Sequence, residues 1–318
     1  MLFAPAVPAD LDGLLPLLHA DPASSVTPGL YRERLARDQY REAHTWIARP
    51  APGAPALAVA VWWAGPEEAL PAVLDAVCVA PAVGEGPERV ALAAALLTAG
   101  HAYFAGRGLD SAPEYHVFLP ADWHARPEVA AALGWRREAA RLAGLTVSVE
   151  RLRYEWEASR GLPGPARRLR FHAEPDDEVF VDLFRRCLEG TLDAACAREA
   201  AELGAGEQAR RDLAFYRDTM PGERSWWRVA RDAAGEAVGF AVPSRNHECP
   251  VVGYLGVLPE YRGNGYADEL LGEITRVLAE AGARRVRADT DLGNTPMAAS
   301  FERTGYVSRS RRLVLSAA

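Results

Sequence analysis

Apolar residues recur first at helical and then at strand spacing, in an order that the chain runs through twice. Leu11–His19 and Tyr31–Ala43 carry apolar positions three and four apart, with Asp10 as an N-cap and Pro28 ahead of the second helix. The period then shortens to two. Thr45–Arg49 and Ala56–Trp63 read as strands around a Pro/Gly turn, and Val73–Ala80 as a buried strand. Glu88–Gly106 reads as a long alanine-rich helix, Glu114–Leu119 as a strand, Pro127–Leu133 as a short helix stopped by Gly134, and Leu142–Arg153 as a strand.

A Pro/Gly/Arg segment, Ser159–Arg168, has the composition of a linker. The order then repeats. Leu169–Ala173 predicts a strand, Asp177–Leu188 and Ala194–Met220 predict helices, and Trp226–Arg231 with Ala237–Val242 predict a hairpin. Val251–Leu258 is a strand, Asp268–Ala281 an amphipathic helix stopped by Gly282, and Arg285–Thr290 a strand. Pro296–Arg303 is a short helix closed by Gly305, and Arg311–Leu315 a last strand. Pro81 and Pro259 each end a strand, and Gly134-Trp135 and Gly305-Tyr306 each close a helix. Such self-similarity predicts a duplicated mixed α/β domain, divided as residues 1–157 and 158–318.

Composition narrows the chemistry. The 318 residues include 36 basic ones, every one an arginine, so lysine-dependent phosphate loops and Schiff bases are excluded. The net charge of −7 disfavours nucleic acid and anionic membrane surfaces as partners. Cys78, Cys187, Cys196 and Cys249 show neither C-x-x-C spacing nor a disulfide framework, and no metal site is expected. The N-terminus lacks the basic flank of a signal peptide, and no apolar run is long enough to span a bilayer, so the expected location is the cytoplasm.

The segment Tyr254-Leu-Gly-Val-Leu-Pro-Glu-Tyr-Arg-Gly-Asn-Gly-Tyr-Ala267 carries the chemistry. A buried strand runs through a glycine-punctuated turn straight into a helix. Unpaired N–H groups at a helix start bind anions, and the helix dipole adds to this. Gly263 and Gly265 let the backbone approach a phosphate oxygen, and Arg262 offers a charged fork. The turn is thus expected to cradle a pyrophosphate.

Arg262-Gly-Asn-Gly-Tyr-Ala267 resembles the acyl-CoA-binding signature of the GNAT (GCN5-related N-acetyltransferase) superfamily, Q/R-x-x-G-x-G/A. Asn294-Thr-Pro-Met-Ala-Ala-Ser-Phe-Glu-Arg-Thr-Gly-Tyr306 resembles the family's following helix. The resemblance implies an α/β fold (an α+β sandwich) with a splayed sheet. It implies acetyl-CoA in the splay, held by Arg262, Gly263, Asn264, Gly265, Tyr266 and Ala267. The pantetheine arm would pair with Leu255, Gly256 and Val257, beside Asn294 and Phe301. The reaction implied is direct transfer of an acetyl group to a primary amine.

In the first half, Val79-Ala-Pro-Ala-Val-Gly-Glu-Gly-Pro87 takes the signature's place. Gly84 replaces the arginine, Pro87 removes an amide donor, and Glu85 and Glu88 add negative charge. This half is therefore expected to bind no CoA. A degenerate N-lobe before an intact C-lobe resembles tandem GNAT proteins such as mycothiol synthase.

Many GNAT relatives use a Glu on the signature strand as base and a Tyr on the last helix as acid. Gly253 or Tyr254 and Phe301 stand at those places here. Candidate catalytic residues are His247 and Glu248 in a loop between strands, Tyr254, and Asp289, which shares a strand face with Asp291. Glu189 and Asp193 are candidates for attracting a small cationic amine. The expected protein is an acetyl-CoA-dependent N-acyltransferase acting on such an amine, as a monomer or homodimer. The alternative is an inactive acyl-CoA-binding sensor or scaffold.

Overall fold

The computed structural model describes residues 1–18 and 21–318. Two compact units divide the chain. The first comprises residues 1–150 and 310–318, and the second residues 151–309.

The first unit opens with a strand that helical periodicity in the first 50 residues obscured. β1 (Leu2–Pro5) pairs antiparallel with β2 (Thr45–Arg49). Between them, mixed 3-10 and α turns run from Pro8 to Leu17, with α1 (Leu11–Leu14) at the centre. The last residue of the helix expected there, His19, lies outside the described residues. α2 (Pro28–Ala36) is capped by Thr27, whose hydroxyl accepts the Leu30 N–H at 3.2 Å. It ends before Asp38, which takes a left-handed φ of 55°, well short of the expected Ala43. β3 (Ala58–Trp63), β4 (Val73–Val79), α3 (Pro87–Ala105), β5 (Glu114–Pro120) and α4 (Pro127–Leu142) follow.

α4 corrects another expectation, because Gly134 does not stop it. The helix continues for two more turns, burying Arg136, Ala139 and Ala140. The strand expected from Leu142 accordingly starts later, as β6 (Val147–Glu157). The first sheet has the order β1-β2-β3-β4-β5, and residues 310–315 close it antiparallel to β5.

The second unit repeats this plan. Its elements are β7 (Arg170–His172), α5 (Asp177–Cys187), α6 (Ala194–Leu203), α7 (Ala205–Ala214), β8 (Arg228–Arg231), β9 (Ala237–Arg245) and β10 (Pro250–Val257). α8 (Tyr266–Glu280), β11 (Arg285–Asp291), α9 (Thr295–Arg303) and β12 (Val307–Ser316) complete the order. The single helix expected over Ala194–Met220 is broken at Gly204, whose φ is 82°. The second sheet has the order β7-β8-β9-β10-β11, and residues 151–157 of β6 close it by pairing with all seven residues of β11. In each unit, therefore, the sixth strand comes from the other half of the chain.

Helices cover both faces of each sheet. In the second unit Leu270, Ile274 and Leu278 of α8 pack with Trp156 and Val286 on one face. Phe180 and Phe184 of α5 and Leu213 of α7 pack with Trp227 and Phe240 on the other.

The feature that makes a site is a splay. The parallel neighbours β10 and β11 are in register only at Val251 and Arg287, after which the strands diverge. β4 and β5 do the same in the first unit, pairing only at Val73–Glu114 and Leu74–Tyr115. Each sheet thus opens a V beside its signature strand.

Candidate active site

In the second unit the open edge of the V is β10. Its register with β9 shifts between Val252 and Tyr254, a bulge at Gly253. A Cβ at Gly253 would meet Ser244 Cβ and Val242 O, each at 2.8 Å, so only glycine fits. Past the bulge, the Gly256 carbonyl packs against Gly239 of β9, and the Leu258 N–H donates to Val238 O at 2.9 Å. Alternation along the strand therefore turns the N–H and C=O groups of Leu255 and Val257 to the open side.

The turn after β10 gives the cleft its floor. Gly263 and Gly265 have φ of 79° and 73°, in the left-handed region that glycine enters without strain. A Cβ on Gly263 would stand in open space. The N–H groups of residues 263–267 find no hydrogen-bond partner among the described residues. They open α8, where the helix dipole favours an anion.

Arg262 does something other than what the sequence suggested. Its Nη1 donates to the Glu189 and Gly190 carbonyls at 2.6 and 3.2 Å, its Nη2 to Cys187 O at 2.9 Å, and its Nε to Val257 O at 3.1 Å. The guanidinium is occupied by four carbonyls, most of them at the C-terminal end of α5. It fastens the turn after β10 to the loop that follows α5, and the donors left for an anion at the turn are backbone amides.

A cavity of about 480 Å³ lies in the splay, within the usual size of a ligand site. Of the residues named from the sequence, Tyr254, Leu255, Gly256, Val257, Arg262, Gly263, Gly265, Tyr266, Ala267 and Asn294 line it. Asn294 also caps α9, its Oδ1 accepting the Met297 N–H at 3.3 Å, which leaves its amide nitrogen for a ligand. Cys187 at the end of α5 and Gly190, Thr191 and Leu192 of the connection after it line the cavity too, and the sequence reading did not single out Tyr261, Pro296, Met297, Ala299 or Arg303.

Other candidates lie elsewhere. Asn264 is exposed and folds its Nδ2 onto the Tyr261 and Arg262 carbonyls. Phe301 is buried and stacks on Tyr154 with ring centroids 4.8 Å apart, so it belongs to the core rather than to the cleft. His247 and Glu248 occupy the exposed turn before β10, the whole strand away from Val257, and Glu248 pairs with Arg287 at 3.2 Å. Asp289 faces Arg153 at 3.7 Å. Asp193 caps α6 and pairs with Arg151 at 2.6 Å, while Glu189 is exposed beside the cavity-lining residues 190–192.

Of the four catalytic candidates, only Tyr254 lines the cavity. Its ring lies among Phe184, Tyr216 and Phe240, and burial pushes its phenol well above the ordinary range, so it stays neutral. Burial also pushes the Cys187 thiol up to about 12, which removes it as a nucleophile near neutral pH. Among the described residues no carboxylate or imidazole lines the cavity.

The matching V of the first unit is filled by its own side chains. Arg136 of α4 is fully buried; its Nε donates to Val77 O at 3.2 Å and its Nη2 pairs with Asp21. Val77 stands 178 residues before Leu255, the same interval that separates Pro81 from Pro259. The arginine therefore takes the carbonyl that β10 leaves open. At the turn, Pro87 opens α3 without an N–H, and a Glu88 oxygen lies 2.6 Å from where a Cβ on Gly86 would be.

Residues 182–306, all inside the second unit, match the acetyltransferase (GNAT) family. Within the second unit the chain is thus similar to the GNAT family, whose general reaction is transfer of acetyl from acetyl-CoA. Along nearly its whole length the chain shares the fold of a GCN5-related N-acetyltransferase from Sphaerobacter thermophilus. That match covers 98% of this chain and 94% of the other, at 17% identity and a TM-score of 0.56. A GCN5-related glucosamine N-acetyltransferase region of a fungal multi-domain GH3 β-N-acetylglucosaminidase matches 98% of this chain and 38% of its own, at 12% identity and a TM-score of 0.52. A tandem GNAT protein from the clavulanic acid biosynthesis pathway covers 100% and 98% at 15% identity, with a TM-score of 0.45. The repeated element order and the two splayed sheets make two copies of one fold, and the whole-length likeness at a TM-score of 0.56 gives that fold as the GNAT one. Among the described residues no helix is long and apolar enough to cross a membrane.

Proposed function

We propose that the second unit transfers an acetyl group from acetyl-CoA to the primary amine of a small acceptor, and that the first unit binds no CoA. The observation that carries this is the contrast between the two splays. One offers five free amides, an open strand edge and a cavity of about 480 Å³. The other holds Arg136 on the equivalent carbonyl. The amides of residues 263–267 would hold the pyrophosphate, Leu255 and Val257 the pantetheine, and Asn294 would sit beside that arm.

The cofactor supplies an acetyl group activated as a thioester. The Val257 N–H, on the open side of β10, would polarise the thioester carbonyl; one such donor in a dry site is worth about 3 kcal/mol. The cleft holds the two reactants in contact, which supplies much of the remaining acceleration. The neutral Tyr254 hydroxyl is one of the side-chain hydrogen-bond donors that the lining offers the reacting atoms. With no carboxylate or imidazole in the lining, the acceptor amine must lose its proton on its own. Residues 187–192 shape the acceptor side, and the chain's acidic balance favours a cationic amine.

Release of free thiol from acetyl-CoA with a panel of small amines, glucosamine and polyamines among them, tests this. The expected result is turnover with at least one amine, with kcat/KM rising with pH until the acceptor's own pKa is reached. The absence of a base in the cavity also favours a second reading, a protein that binds acyl-CoA without turning it over. Tight acetyl-CoA binding with no thiol release from any amine would establish that reading instead.

A further inference from the structure

We propose that Arg168, on the arm leading into β7, forms a second phosphate subsite, which takes the 3′-phosphate at the adenosine end of CoA. The proposal rests on acetyl-CoA occupying the cleft as described above.

One carboxylate fastens the arm to the first turn of α8. Glu269 Oε2 accepts the N–H groups of Arg167, Arg168 and Leu169 at 2.9, 3.0 and 3.1 Å, and Oε1 accepts Arg168 Nε at 2.7 Å. Three successive amides converging on one oxygen fix the backbone, so the side chain leaves it in a set direction. The guanidinium then lies 4.5 Å from the centre of the Tyr266 ring and donates Nη1 to Asn264 O at 2.6 Å. Its Nη2 stands 3.8 Å from where a Cβ on Gly265 would be and has no partner among the described residues. A half-exposed arginine is thus held flat along the outer lip of the cradle with one donor to spare.

The other arginines at the cleft are engaged. Arg262 serves four carbonyls, and Arg303 grips Asp268 with two bonds of 2.7 and 2.8 Å. The ligand's chemistry supplies the match. CoA carries a pyrophosphate, which the five amides suit, and one further phosphate on the ribose. With the pantetheine along β10 and the pyrophosphate over residues 263–267, the ribose would continue past the turn, where Arg168 reaches Asn264 O and the Tyr266 ring. A guanidinium fork is well suited to a phosphate there.

Calorimetric titration of the full chain with CoA and with 3′-dephospho-CoA tests the subsite. Wild type should bind CoA on the order of tenfold more tightly, the worth of one charge-assisted hydrogen bond. Arg168→Gln should bind CoA only as well as dephospho-CoA, with its affinity for dephospho-CoA unchanged. Arg168→Lys should recover part of the preference. An unchanged thermal midpoint would show that the arm stays in place, since three backbone bonds to Glu269 remain. A preference that survives in Arg168→Gln overturns the subsite, as does an equal loss of both affinities. Wild type that binds both ligands alike overturns it while leaving the cofactor reading intact. Wild type that binds neither overturns both.

Discussion

Arg262 stands first in the signature, yet its side chain works structurally. It joins the end of α5 to the end of β10 through four carbonyls. Lysine would keep the charge but could reach only part of that set. Arg262→Lys should therefore cost about 1–2 kcal/mol of stability and loosen the cradle. Thermal melting should show a midpoint several degrees lower, and titration should show weaker acetyl-CoA binding; a variant matching wild type in both would contradict the role. The sequence could not show this direction, because three of the four carbonyls that take Arg262 lie 72 to 75 residues earlier. The glycines were legible, since a turn that needs left-handed φ at 263 and 265 admits little else. Phe301 was misplaced for the opposite reason. Motif position says which helix a residue is on, while the face it presents depends on what it packs against, here Tyr154.

At the scale of elements, α7 contains a group that should make stability depend on pH. Gln208 Nε2 donates to Glu199 Oε2 at 2.6 Å and to Asp212 Oδ1 at 2.9 Å, and Asp212 Oδ2 is buried without a partner. Burial first, and the charge of Glu199 second, push the Asp212 carboxyl up to about 7. In the unfolded chain it titrates near 4. Below both values the group is protonated in both states. Between pH 4 and 7 the unfolded chain loses the proton while the fold keeps it, so stability falls as pH rises. Asp212→Asn should flatten that slope and raise the thermal midpoint at pH 8 by a few degrees. An unchanged slope between pH 4 and 7 would contradict the assignment.

Most elements were legible because their apolar period is strong. Thr45–Arg49 and the α8 stripe are examples. Three were not. β1 is only four residues long and gains its identity from pairing with β2. Gly134 reads as a stop but keeps a helical backbone, because the following turns bury Arg136, Ala139 and Ala140. His247 and Glu248 sit in the loop between strands that the sequence predicts, yet the eight-residue β10 separates that turn from the cleft.

At the scale of the whole chain, the duplication was legible in the order of the elements and in the spacing of Pro81 and Pro259. The exchange of sixth strands was not, since nothing local marks residues 151–157 as belonging to one sheet rather than the other. The proposal that the first unit binds no CoA starts from Gly84, Glu85, Pro87 and Glu88. The structure adds a buried Arg136, paired with Asp21, on the Val77 carbonyl. Removing Asp21 would leave the Arg136 charge buried and uncompensated, so the pair resists separation.

The central claim is that one splay of the two accepts the cofactor. Calorimetric titration of the full chain with acetyl-CoA measures this directly through its stoichiometry. The account predicts one site per chain, lost in Gly265→Asp, where a residue tolerant of left-handed φ puts a carboxylate against the phosphates. Two sites per chain, no binding, or binding that Gly265→Asp leaves untouched would contradict it.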